Sequence, residues 1–125
     1  IDIRIGTATA TTDELVITLQ PDMPIVINTQ NETVTELSRT SATAFIALAE
    51  GLPMNGMHAI ALYIDGLDAP FVRIDTTAGY DVYVDIGLRS IEEQMQALSA
   101  VISSDNFVAP QEYIDLRFGA YVYKK

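Results

Sequence analysis

Apolar and polar residues alternate along much of the chain, and the alternation changes period twice. ELVITLQ (14–20) and PIVINTQ (24–30) are β-branched and alternate with period two, which predicts two strands. Pro21 and Pro24 bracket a bend in PDMP, and Asn31-Glu32 forms a polar turn after the second strand. HAIALYID (58–65), PFVRIDT (70–76) and YDVYVDI (80–86) predict three more strands. Asp65-Gly66 and the TTAG stretch at 76–79 supply the turn chemistry between them.

Helical spacing replaces this alternation twice. In SATAFIALAEG (41–51), Phe45, Leu48, Ala49 and Leu52 share one face, with Ser41 as N-cap and Gly51 as the residue just past the end. Ile91, Met95, Leu98 and Ile102 form a second apolar stripe. Ser90 and Glu93 make an S-x-x-E capping box at its start, and SSDN (103–106) ends it.

The last segment, YIDLRFGAYVYKK (113–125), reads as a hairpin. Gly119-Ala120 fits a two-residue turn with glycine where φ must be positive. That register sets Phe118 opposite Tyr121, Arg117 opposite Val122, Leu116 opposite Tyr123, and Asp115 opposite Lys124. Ile114, Leu116, Phe118, Tyr121 and Tyr123 are then expected on the core face, with Asp115, Arg117 and Lys124 on the other. On the residues alone, such a ribbon reads first as core and second as an edge for a partner.

Strands, helix, three strands, helix and two strands predict an α+β fold. We expect a mainly antiparallel sheet, two helices packed on one side, and an open C-terminal edge strand. At 125 residues with 49% hydrophobic residues, one core is sustainable without crosslinks, and there is no cysteine. The net charge of −10, from 17 acidic and 7 basic residues, argues against nucleic acid and anionic lipid as partners. No apolar run is long enough for a membrane helix. The absence of an initial Met suggests an excised or processed piece of a longer protein.

Candidate chemistry is sparse. His58 is the single histidine, so no Ser-His-Asp set exists without it, and a cysteine nucleophile is excluded. Asp65, Asp68, Asp75, Asp81 and Asp85 form no calcium-loop pattern and read as solvated strand-end residues. Paired carboxylates for glycoside chemistry are not excluded by the sequence, but no aromatic sugar platform is read beside them and no Trp is present. No catalytic residue, metal or cofactor is expected.

The C-terminal segment resembles the extracytoplasmic β domain of the bacterial cell-division protein family FtsQ, called DivIB in Gram-positive species. That family typically ends on a Tyr-x-Asp-Leu-Arg-aromatic strand, a short turn and a last strand. Tyr113, Asp115, Leu116, Arg117 and Phe118 match it, with Gly119 as the turn. GYDVYVDI (79–86) is similar to the family's Gly-aromatic-x-x-aromatic strand, and the helix from Ser90 lies between the two. LVITLQPDMP (15–24) is similar to the end of the family's POTRA domain through Leu15, Ile17, Leu19 and Pro24. Pro21-Asp22 stands where Glu-Arg is typical. The resemblance implies a strand-rich leader over 1–23, readable as the end of a truncated POTRA domain, and a β domain over 24–125.

It also implies a non-enzymatic divisome scaffold on the extracytoplasmic face of the cell membrane, single-pass anchored in the full-length protein. Its partners would be FtsB/DivIC-like and FtsL-like division proteins, one of which adds a strand to the last edge. The partner-binding residues would be Arg117, Phe118, Ala120, Tyr121, Val122, Tyr123 and Lys124, with Arg117 and Lys124 meeting acidic residues of the partner. Two other classes stay open: a structural subunit associating by β-strand exchange, and a hydrolase using carboxylates or Ser/Thr hydroxyls.

Overall fold

The computed structural model describes residues 2–4, 8–10, 15–18, 25–28, 36–66, 69–119 and 121–125. The expected bend at PDMP, the turn at Asn31-Glu32, and Leu19, Pro24 and Ala120 lie outside the described residues. The strands are β1 (Asp2–Arg4), β2 (Ala8–Ala10), β3 (Leu15–Thr18), β4 (Ile25–Asn28) and β5 (Glu36–Ser38). Helix α1 (Arg39–Gly51) and a 3-10 turn (Leu52–Asn55) follow, then β6 (Ala59–Ile64), β7 (Phe71–Thr76) and β8 (Asp81–Asp85). Helix α2 (Ile91–Ile102), β9 (Tyr113–Phe118) and β10 (Tyr121–Lys124) complete the order.

The fold is α+β, with a mixed, mostly antiparallel, open sheet in the order β10-β9-β8-β7-β6-β4-β3-β2. Six of these strands lie from Ile25 onward. Inside the stretch expected as a leader, β3 hydrogen-bonds to β4 and β2 to β3, so both continue the sheet. A separate small ribbon pairs β1 with β5.

Two pairs are parallel, β4 with β6 and β8 with β9, and each is joined by a crossover containing a helix. Both crossovers start from strands of the same direction and step toward β10. Crossovers of this kind are right-handed, so two identical steps place both helices on the same face. The topology thus leaves the opposite face without a helix among the described residues.

Under the helices the core is aliphatic. Phe45, Leu48 and Leu52 meet Leu98 of α2 and the inward residues Leu62, Ile64, Val72, Ile74, Val82, Val84, Ile114 and Leu116. The helices approach closely at Gly51, where a Cβ would lie 3.0 Å from Met95 Cγ. This corrects the expectation that Gly51 lies just past the end of the helix, since it is the last residue of α1. Gly51 remains right-handed at φ −81° and the chain runs on into the 3-10 turn, which closes at Gly56 with φ +75°. Ser41 is likewise not the N-cap, because α1 begins at Arg39.

Helix α2 starts as its sequence indicates, with Ser90 Oγ accepting from the Glu93 N–H at 3.3 Å. Gln94, fully buried, takes over where β8 ends. Its Oε1 accepts from Asp85 N–H at 2.8 Å and its Nε2 donates to Asp85 O at 2.6 Å, as a neighbouring strand would. This bond pair ties α2 to the sheet and satisfies a buried backbone.

Candidate partner-binding edge

The hairpin that carries the candidate site begins as expected and then departs from the regular register. Phe118 faces Tyr121, and Gly119 adopts φ +71°, the conformation the short turn needs. Beyond that pair the register shifts. Tyr123 faces Asp115 rather than Leu116, and Lys124 faces Ile114 rather than Asp115. Leu116 and Arg117 together oppose Val122, which makes a bulge in β9.

The bulge has a chemical cause in the strand itself. Asp115 Oδ1 accepts from the Arg117 N–H at 3.0 Å, so that donor is satisfied within β9 instead of across the ladder. Arg89 Nη1 donates to Leu116 O at 3.1 Å and satisfies the carbonyl beside the bulge. Neither contact is visible as a local pattern.

A one-residue slip exchanges the faces of everything beyond it. Ile114 and Leu116 are buried as expected, but Phe118 and Tyr123 are not on the core face: they are 50% and 53% exposed. Their rings meet edge to face at 5.8 Å. Val122 instead packs against the core cluster. The expected Asp115–Lys124 cross-strand pair is absent for the same reason, and Asp115 bonds Arg117 instead. The Lys124 ammonium lies 5.4 Å from the Phe107 ring centroid.

Arg117 is held by Asp115 in a two-point contact, Nε to Oδ1 at 2.9 Å and Nη2 to Oδ2 at 2.7 Å. Asp115 is buried, at 4% exposure, so its charge depends on this partner. Those hydrogen bonds raise the Arg117 pKa above its ordinary value, with a Coulombic contribution from Asp115 and an opposing cost of burial. The guanidinium also lies 4.9 Å from the Phe71 and Tyr83 ring centroids and 5.2 Å from that of Phe118. Its charge is therefore already balanced before any acidic partner arrives.

Along the open face, register aligns Tyr63, Arg73, Tyr83, Asp115 and Tyr123 in one row across β6 to β10. Arg73 bonds Asp81 at 3.2 Å and lies 4.0 Å over the Tyr63 ring. Tyr83 and Tyr113 meet edge to face at 5.2 Å. The sequence reading missed Tyr63, Phe71, Arg73 and Tyr83 as neighbours of the hairpin. The signal was their shared parity in three consecutive strands, which only the inter-strand register turns into a row. Aromatic rings thus do lie beside the aspartates, contrary to the linear reading. Three of these carboxylates are committed all the same: Asp115 to Arg117, Asp81 to Arg73, and Asp85 Oδ1 to the Gly87 and Leu88 N–H groups; Asp75 faces Asp81 across the β7–β8 pair.

The last strand forms one edge of the sheet. Lys125 N–H and C=O both bond Tyr113, so backbone direction alternates back along β10. Tyr123 then points its peptide groups at β9, while Val122 and Lys124 point theirs away from the sheet. Ala120 and the Tyr121 side chain lie outside the described part.

No protein-family profile, no curated protein and no solved structure matches the chain. The likeness to FtsQ/DivIB accordingly rests on the residues quoted above within 15–24, 79–86 and 113–119. Among the described residues, no three His, Cys, Asp or Glu side chains converge as a metal ion requires. His58 is exposed, and its backbone N–H donates to Thr77 Oγ1. Among the described residues no helix is long and apolar enough to cross a membrane.

Proposed function

We propose that the chain is a non-enzymatic scaffold that takes up an extended partner segment as an additional strand on β10. The observation that carries this reading is the sheet edge at β10, which no described strand covers and where Val122 and Lys124 direct backbone donors and acceptors outward. An exposed edge is an aggregation hazard unless blunted or covered. Val122 and Tyr123 carry no charge and no proline interrupts the strand, so a covering partner accounts for it. Lys124 and Lys125 at its end favour an acidic segment, although Lys125 already lies 3.6 Å from Glu112.

The resemblance to FtsQ/DivIB makes the partner an FtsB/DivIC-like or FtsL-like division protein on the extracytoplasmic side of a bacterial membrane. Commitment of Asp81, Asp85 and Asp115 to arginines and turn amides supports a binding role over hydrolysis. In this reading Arg117 positions Phe118 and Tyr123 beside the edge and does not itself meet the partner's charge.

Val122→Pro and Lys124→Pro each delete an outward N–H. Both variants are expected to keep the parent circular-dichroism spectrum and to lose at least tenfold in affinity for an FtsB- or DivIC-type segment. Parent-like affinity in either folded variant overturns the proposal. Arg117→Glu is a poor probe, because it sets a second carboxylate against buried Asp115 and perturbs folding directly.

One observation favours a second reading. The sheet has another terminal strand, β2, at its far side. Pairing of β10 with β2 of a neighbouring copy would be head-to-tail and would propagate, as in a strand-exchanging structural subunit. Concentration-dependent oligomers of the isolated chain, abolished by Lys124→Pro, would select it.

A further inference from the structure

The helical layer carries a second candidate surface. Between α1, the 3-10 turn and α2 lies a concavity of ≈ 500 Å³. Ala47, Met54, Ile91 and Met95 form its apolar lining, and Glu50 and Glu92 are the charged side chains that line it among the described residues. Met54 is 87% exposed, so no part of this chain that is described covers it. Gly51 keeps the groove open: its lack of a side chain lets the helices meet at Met95 without filling the space between them.

We propose that this groove docks a basic amphipathic helix of a partner protein. The charge around it selects the partner's sign. Both lining charges are acidic, neither helix carries a basic residue in its last turn, and the chain as a whole has a net charge of −10. Such a field draws in cationic segments and repels acidic ones. The apolar floor fits the remaining requirement, since a helix laid in a groove buries residues spaced i, i+3, i+4 and i+7. Two methionines, Met54 and Met95, give that floor side chains that re-pack around differently shaped residues. The surface is distinct from β10, and the proposal does not depend on strand addition.

The probe is a synthetic amphipathic helix of leucine and lysine, about five turns long, titrated into the intact chain by calorimetry. One-to-one binding is expected, weakened about tenfold or more by Met54→Lys and by Glu50→Lys combined with Glu92→Lys. Met54 and Glu92 are exposed, and circular dichroism checks that the variants remain folded. Val122→Pro should leave this affinity unchanged, which separates the groove from the strand edge. Equal binding of a leucine–glutamate helix, unchanged affinity in the groove variants, or a self-association that Met54→Lys abolishes would each overturn the proposal. The last outcome would make the occupant a second copy of this chain.

Discussion

The two faces of the sheet are made by the same strands and are stabilised in different ways. Toward the helices, Leu62, Ile74, Val82 and Ile114 are fully buried among aliphatic neighbours. Toward the open side, rings and guanidinium groups lie partly exposed and are held by directional contacts between Tyr63, Arg73, Tyr83, Asp115 and Arg117. Aliphatic packing tolerates rearrangement so long as volume is kept. A charged and aromatic row does not, because each contact depends on register. The covered face therefore carries most of the stability, and the open face specifies how β8, β9 and β10 align.

Substitutions on each side test this contrast. Leu98→Ala, at the centre of the covered face, should cost about 2–5 kcal/mol in denaturant unfolding, since it leaves a cavity among fully buried neighbours. Loss of less than 1 kcal/mol would place the core elsewhere. Asp115→Ala removes the partner of Arg117 and the acceptor that shapes the bulge. A loss of about 2 kcal/mol is expected, discounted for the partial exposure of the arginine. Backbone NMR should also show β10 moving to a regular register, with Val122 leaving the core. If the register stays put, the bulge has another cause.

Ser90→Ala should cost about 1 kcal/mol by stranding the Glu93 N–H at the start of α2. A double-mutant cycle with Tyr63→Leu and Arg73→Met should give a coupling of about 0.5–1 kcal/mol, the size of a partly exposed cation–π contact. No coupling would reduce the row to coincidence.

The smallest effect at neutral pH belongs to Tyr80, whose phenol burial holds above its ordinary pKa of 10.0. The unfolded chain ionises first, so this contribution is intact below pH 10.0 and is lost as pH rises through the higher folded value. Tyr80→Phe should remove that part of the alkaline drop, measured as the slope of unfolding free energy against pH.

How legible each part was depended on how local its cause is. The capping box at Ser90 and the stripe Ile91, Met95, Leu98 and Ile102 were readable because their partners lie within four residues. Gly119 was readable because a two-residue turn needs its positive φ. The strands at 59–64, 71–76 and 81–85 were readable from alternation. The bulge was not, although Asp115 and Arg117 are only two residues apart: aspartate in a strand has many possible acceptor roles. The faces of Phe118 and Tyr123 were then misassigned together, since one register error propagates down a strand.

The amino-acid sequence by itself determined where both helices and seven of the strands lie, which face of each helix is apolar, and that the fold is α+β, whereas β1, β2 and β5 gave no such signal. Those properties follow from periods of 3.6 and 2 and from caps that act over a single turn. Tertiary structure alone decided that β4 pairs with β6 and β8 with β9 in parallel, and that five strands align a tyrosine–arginine–aspartate row. It also decided that the final strand places Val122 inward and Tyr123 outward. Pairing of this kind is a sum of many weak contacts between residues distant in the chain. No short window of sequence contains that sum, and it is settled only when the strands meet.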